Sequence, residues 1–148
     1  MPQSYTNLLY HMIFSTKDRE PFLNREMRPD LFAYVGGICR NIDGTLLSAG
    51  GYDDHVHLLV KLNAETSVAE AMRTIKANSS RWIHRDRGLE PFAWQPGYAA
   101  FTASESIVPD LRGYLAKQEE HHKRVGYFAE LDAFLGKNGI ARVASDAD

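Results

Sequence analysis

The spacing of apolar residues along this chain changes period several times, and each change marks an element. In "YTNLLYHMIF", residues 5 to 14, Leu8, Tyr10, Met12 and Phe14 alternate with their neighbours, which predicts a strand. A polar connection, "STKDREPFLNRE", holds Pro21. From about Arg25 to Asn41, Leu31, Tyr34, Val35 and Ile38 recur at helical spacing, interrupted by the Gly36-Gly37 pair. "DGTLLSAGGYDDHVHLLVKL" predicts a strand, a glycine-rich turn and a second strand, together a hairpin. The clearest helix is "ETSVAEAMRTIKANSSRWIHRDRG", with Thr66 or Ser67 as cap, Glu70 in the first turn and Gly88 after its end. "GYAAFTAS" predicts a short strand. "SIVPDLRGYLAKQEEHHKRV" predicts one continuous helix with Ser106 as cap and Pro109 in its first turn, and "YFAELDAFLGKNG" a last short helix.

The order β-α-β-β-α-β followed by helices predicts an α+β fold. It is a ferredoxin-like or RRM-like antiparallel sheet with helices on one face, plus C-terminal helices. At 148 residues the chain is expected to form a single domain, 1–148, with roughly 139–148 as a flexible tail. No apolar run reaches the roughly 18 residues of a membrane span, and the start lacks the basic-then-apolar layout of a signal peptide. No membrane association and a cytoplasmic location are the expectation. The one cysteine, Cys39, excludes an internal disulfide and a cysteine-built zinc site, and reads as a small core residue.

Charge alters the picture locally. The net charge of −2 gives no global sign of nucleic acid. Yet between residues 73 and 87, Arg73, Lys76, Arg81, Arg85 and Arg87 face only Asp86, a local balance of +4. On a helical projection Val68, Met72, Ile75 and Trp82 fall on one side. Arg73, Lys76, Ser80, His84 and Arg87 gather on another that carries no acid. A solvated face would mix signs, so phosphate contact is the better reading. Arg81 and, near the start, Lys17 join the expected DNA contacts.

Chemistry enters at "DDHVHLLV", residues 53 to 60. Strand side chains alternate, so His55 and His57 share one face, joined by Asp53 if the strand begins early, while Val56 and Leu58 face the helices. Two imidazoles so placed either decorate a half-exposed sheet or hold one divalent ion. In "YLAKQEEHH", Tyr114 and Gln118 are four residues apart on the expected helix and share a face. A tyrosine can be a covalent nucleophile and a glutamine oxygen can complete a cation site, although taken alone the pair reads more simply as a tyrosine at a helix–core boundary. His121 and His122 fit either a solvated role or an approach to phosphate or metal.

These pieces together resemble the small single-tyrosine HUH transposases, the insertion-sequence-200-like family, in which HUH denotes histidine, bulky hydrophobe, histidine. The resemblance runs through "YHMIFSTKDR", "DDHVHLLV", the serine pair before Arg81-Trp82, "WQPGYAAFTAS" and "YLAKQEEHH". It implies that His55, His57 and Gln118 coordinate a divalent ion, Mg2+ or Mn2+. It implies that Tyr114 attacks a phosphate of single-stranded DNA with hairpin ends, leaving a free 3′-hydroxyl and a 5′-phosphotyrosine link that a second 3′-hydroxyl resolves. It further implies a homodimer whose active sites are shared between subunits. A covalent intermediate conserves phosphodiester energy, which suits a chain without a "GxxxxGK" phosphate loop. The chain's acidity and the non-aromatic ending "GIARVASDAD" depart from the family pattern. Three alternatives stay open: a domesticated relative processing chromosomal repeat hairpins, a non-catalytic nucleic-acid-binding module, and a metal-dependent hydrolase using water.

Overall fold

The computed structural model describes residues 3–142. Its elements run β1 (Leu8–Ser15), α1 (Met27–Asn41), β2 (Thr45–Gly51), β3 (His55–Leu62), α2 (Val68–Arg87), β4 (Ala99–Ala103), α3 (Val108–Ala116), α4 (Gln118–His122) and α5 (Tyr127–Lys137). Short 3-10 turns cover Lys17–Arg19 and Glu105–Ile107. The strands form one antiparallel sheet in the order β2-β3-β1-β4, the ferredoxin-like arrangement expected from the element order.

Each element follows from local chemistry. Helix α2 opens on Ser67, whose hydroxyl accepts from the Glu70 amide at 3.1 Å, and closes on Gly88 at φ +66°, where a side chain would be strained. Helix α1 runs through Gly36-Gly37 because Leu31, Val35, Ile38 and Cys39 bury one stripe. The hairpin turn is Tyr52–Asp54, and the expected turn glycines Gly50 and Gly51 lie instead inside β2.

The sheet is covered on both faces. Met12, Phe14, Val56, Leu58 and Val60 pack against Met27, Leu31, Val35, Met72, Ile75 and Ile83 of α1 and α2. On the other face Ile13, Phe101 and Tyr127 meet Leu131, Phe134 and Leu135 of α5. The alternation puts His55 and His57 on that second face, beside Ser15 and Ile13 of β1.

The predicted helix through residues 106–125 is two helices. Lys117, at φ −104° and ψ 18°, separates α3 from α4, and its amide bonds back to Tyr114. Ser106 is not its cap: the 3-10 turn at Glu105–Ile107 precedes α3, Ser106 bonds Ser104, and Pro109 sits in the first turn of α3 as expected. The turn begins before β3, so Asp53 does not join the imidazoles and instead accepts from Arg28 at 3.0 Å. Of the expected flexible tail, residues 143–148 lie outside the described residues. Arg142 pairs with Asp132 at 2.9 Å.

Candidate active site

Helix α3 reaches the sheet because β2 carries glycine where they touch. A Cβ on Gly50 would fall 1.9 Å from the Leu115 carbonyl oxygen, so only glycine permits this approach. Leu115 is buried there, and its neighbour Tyr114 is carried to the histidine face.

His55 and His57 are both completely buried. His55 Nδ1 donates to Asp54 Oδ1 at 2.8 Å, and its Nε2 faces Gln118 Oε1 at 3.1 Å and Glu130 Oε1 at 3.4 Å. His57 Nε2 lies 2.8 Å from the same Glu130 oxygen, and its Nδ1 lies 2.8 Å from His11 Nε2. His122 Nε2 is 3.0 Å from both Gln118 Oε1 and Glu130 Oε1. The Gln118 amide donates to Glu130 Oε2 at 2.9 Å, and the Tyr114 hydroxyl donates to that oxygen through a short hydrogen bond. His121 Nε2 lies 3.2 Å from the Tyr114 hydroxyl. All four residues expected to carry the chemistry, His55, His57, Tyr114 and Gln118, therefore meet within one chain, and Glu130 touches every one of them.

The electrostatics follow from this crowding. Burial opposes charge on His55, but hydrogen bonds to Asp54 and Glu130 outweigh it and raise its pKa, since both ring nitrogens face acceptor oxygens. Burial lowers His57 to about 4 and His11 to about 3, keeping both rings neutral. Glu130 is held well below the usual carboxylate range: burial alone would raise it, and hydrogen bonds from His122, His55 and His57 prevail. The Tyr114 phenol is pushed up by burial and by the adjacent Glu130 carboxylate.

The donor set fits a divalent cation. Ligand atoms of His55, His57, His122 and Glu130 all lie within 4.8 Å of one another. Imidazole ligands suit first-row transition ions, while carboxylate and carboxamide oxygens suit Mg2+ and Mn2+, and this site offers both kinds. Asp54 and His11 hold the far nitrogens, so each strand histidine can aim Nε2 inward.

Four of these residues were not assigned from the sequence. Asp54 and His11 carried no separate signal, and His122 had two readings. Glu130 did carry one: it sits on the apolar stripe of α5 between Tyr127 and Phe134, an acid where the helix faces the core.

The predicted DNA contacts lie elsewhere. Helix α2 packs on the opposite face of the sheet, so its cations do not reach the imidazoles. Lys76 Nζ donates to the Gln95 and Gly97 carbonyls at 2.7 and 2.8 Å. His84 bonds the Phe92 carbonyl at 2.7 Å, Arg87 pairs with Asp30, and Arg81 bonds Asn78 at 3.0 Å. Arg73 and Lys17 are exposed, and Ser80 is half-buried. No helix among the described residues is long and apolar enough to cross a membrane.

The chain is similar to several known proteins. The Salmonella typhimurium transposase for insertion sequence element IS200 is 25% identical over 123 residues, 79% of this chain and 80% of the relative. The ISDra2 transposase TnpA of Deinococcus radiodurans is 23% identical over 119 residues, 76% of this chain and 85% of that one. A crystal structure from Deinococcus radiodurans shares the fold with a TM-score of 0.63 at 23% identity, covering 80% of this chain and 96% of that one. A tyrosine transposase structure bound to a REP hairpin shares it at 0.61 and 15% identity, covering 84% and 74%. The family model described as "Transposase IS200 like" matches residues 4–118, from ahead of β1 to Gln118, and on that span the chain belongs to the IS200-like transposase family.

Proposed function

We propose that this protein cuts and rejoins single-stranded DNA at hairpin-marked ends, with Tyr114 as nucleophile and a divalent ion held by His55, His57 and Gln118. The observation that carries this reading is the convergence of a phenol, buried imidazoles and a carboxamide on one carboxylate, Glu130. The family supports a DNA-processing enzyme. His122 and Glu130 stand close enough to share the ion. When bound, a divalent ion polarises the scissile phosphate and offsets the carboxylate charge that keeps Tyr114 protonated.

The chain's own groups do the rest. The phenol proton leaves through His121 Nε2, and the phenolate oxygen attacks phosphorus. The bond to the 3′-oxygen breaks, that oxygen takes up a proton to become the 3′-hydroxyl, and the 5′ end stays on Tyr114. Attack by another 3′-hydroxyl reverses these steps. His121, 3.2 Å from the phenol oxygen, is placed to pass protons to solvent.

The meeting of these groups within one chain supports a site built in cis. A homodimer that exchanged the segment from α3 onward would make the same contacts in trans. Mixing Tyr114→Phe with His57→Ala protein separates the two: activity returns only if sites are shared. Arg73, Ser80, Arg81 and Lys17 are the proposed hairpin contacts, with Lys76 and His84 acting through the loops they hold and Arg87 through its pair with Asp30 of α1. The location proposed is the cytoplasm.

The direct test incubates the protein with a labelled single-stranded hairpin and Mn2+, followed by a denaturing gel. A covalent protein–DNA adduct is expected, and it should vanish in Tyr114→Phe. Cleavage without an adduct that survives the substitution indicates hydrolysis by water, and binding without cleavage indicates a non-catalytic module.

A further inference from the structure

Two stretches noted in the sequence, "STKDR" and "WQPGY", have no part in the chemistry above. The fold brings them together. Thr16 bridges Trp94, the Lys17 amide donates to the Ala93 carbonyl at 2.9 Å, and the Gln95 amide donates to the Ser15 carbonyl at 2.9 Å. This short ladder holds Asp18 and Arg19 at φ 54°, a conformation uncommon for residues with side chains, and the Asp18 amide is fixed by Gln95 Oε1 at 3.0 Å. Non-glycine residues kept there by a surrounding scaffold cluster at ligand sites.

Between these loops and α5 lies a cleft of about 600 Å³, walled by Asp18, Arg19, Gln95, Tyr98, Phe128 and Arg142. The Arg19 and Arg142 guanidinium groups lie 4.6 and 4.5 Å from the centre of the Phe128 ring. Tyr98 is 44% exposed, an aromatic face open to solvent. The cleft adjoins the active site: Tyr127 lines it, and the Tyr127 ring lies 4.8 Å from that of His55.

We infer that this cleft holds an unpaired nucleotide adjoining the phosphate that Tyr114 attacks, its base stacked on Tyr98. This deepens the proposed function and rests on it. An unpaired base offers a π-face to aromatic rings, and its flanking phosphates are anionic, which matches two guanidinium groups on the rim. A base paired in a duplex is covered on both faces by its neighbours. Gln95 and Asp18 present amide and carboxylate groups that can read a base edge.

The test uses a single-stranded hairpin oligonucleotide carrying 2-aminopurine at one unpaired position at a time, with Tyr114→Phe protein so that the DNA stays intact. One or two adjacent positions should show quenched fluorescence on binding. Tyr98→Ala should abolish that quenching and weaken binding about tenfold, while Tyr98→Phe keeps both. Tyr98 is exposed, so folding should survive, and an unchanged melting temperature checks this. Quenching indifferent to Tyr98→Ala, or equal affinity for a fully paired duplex, overturns the inference. An adduct formed by the wild type alongside such a result leaves the catalytic reading standing. Absence of any adduct, with quenching still lost in Tyr98→Ala, retires the catalytic reading and leaves the cleft.

Discussion

The two faces of the sheet are equally buried and built on opposite principles. Toward α1 and α2 the contacts are hydrocarbon and aromatic, where packing is non-directional and tolerant of volume-conserving exchange. Toward α3, α4 and α5 the same strands present His11, His55 and His57, which are as inaccessible as Leu58 but depend on directed hydrogen bonds. Strand β3 belongs to both: Val56 and Leu58 stabilise one face, His55 and His57 equip the other. Stability and chemistry are thus separated by a single step along one strand, and substitutions on the two sides should fail differently.

The largest contrast is between Glu130→Ala and Leu58→Ala. Leu58→Ala should lower stability by about 2–5 kcal/mol, measured by urea unfolding, with or without added metal. Glu130→Ala removes the acceptor shared by the imidazoles, Gln118 and Tyr114, and should weaken Mn2+ binding measured by calorimetry and eliminate adduct formation. Mn2+ affinity unchanged in Glu130→Ala would remove this residue from the site. Next comes Gly50→Ala. Its methyl group has no room beside Leu115, so α3 must shift and carry Tyr114 away; adduct formation should drop by at least about 100-fold, as small misplacements of reacting groups do, while Mn2+ affinity changes less.

A smaller effect is expected for His11→Phe and Asp54→Asn, which loosen the far nitrogens of His57 and His55. Each should reduce Mn2+ affinity about 10–100-fold, and His11→Gln, which keeps a hydrogen-bonding group, should restore part of it. The smallest is a pH effect on the metal-free protein. His11 and His57 have folded pKa values of about 3 and 4 against 6.5 unfolded, so the unfolded chain binds protons first as pH falls. Their contribution is complete above pH 6.5 and is lost progressively down to about pH 4 for His57 and about pH 3 for His11, and the depressed Glu130 carboxyl adds a loss of the same sign as pH falls through the usual carboxylate range and below. Thermal melts should show a decline across that window, flatter in His11→Phe.

Much of this arrangement was legible in the residues. Alternation in "DDHVHLLV" placed the imidazoles on one face, and element order gave the sheet its topology. The Tyr114–Gln118 spacing brought both to the site, although the break at Lys117 means that they do not share one helix. What the linear pattern could not convey was depth. His122 reads as solvated in a run of charges, yet α4 turns it inward against Gln118 and Glu130. The acid-free face of α2 remains the proposed hairpin contact, but a one-dimensional charge count does not reveal that this helix lies on the sheet face away from the imidazoles. Glu130 was visible as an acid on an apolar stripe, a signal that needed a partner seventy-three residues away, His57, to acquire meaning.

Lys76 connects those two sides. It rises from the helix behind the sheet, passes its edge and ties down the backbone at Gln95 and Gly97, in the loop that walls the cleft. A change made at the back of the molecule, such as acetylation of that one amine, would slacken a strap whose other end is at the front, and the enzyme would register at its working surface an event that never came near it.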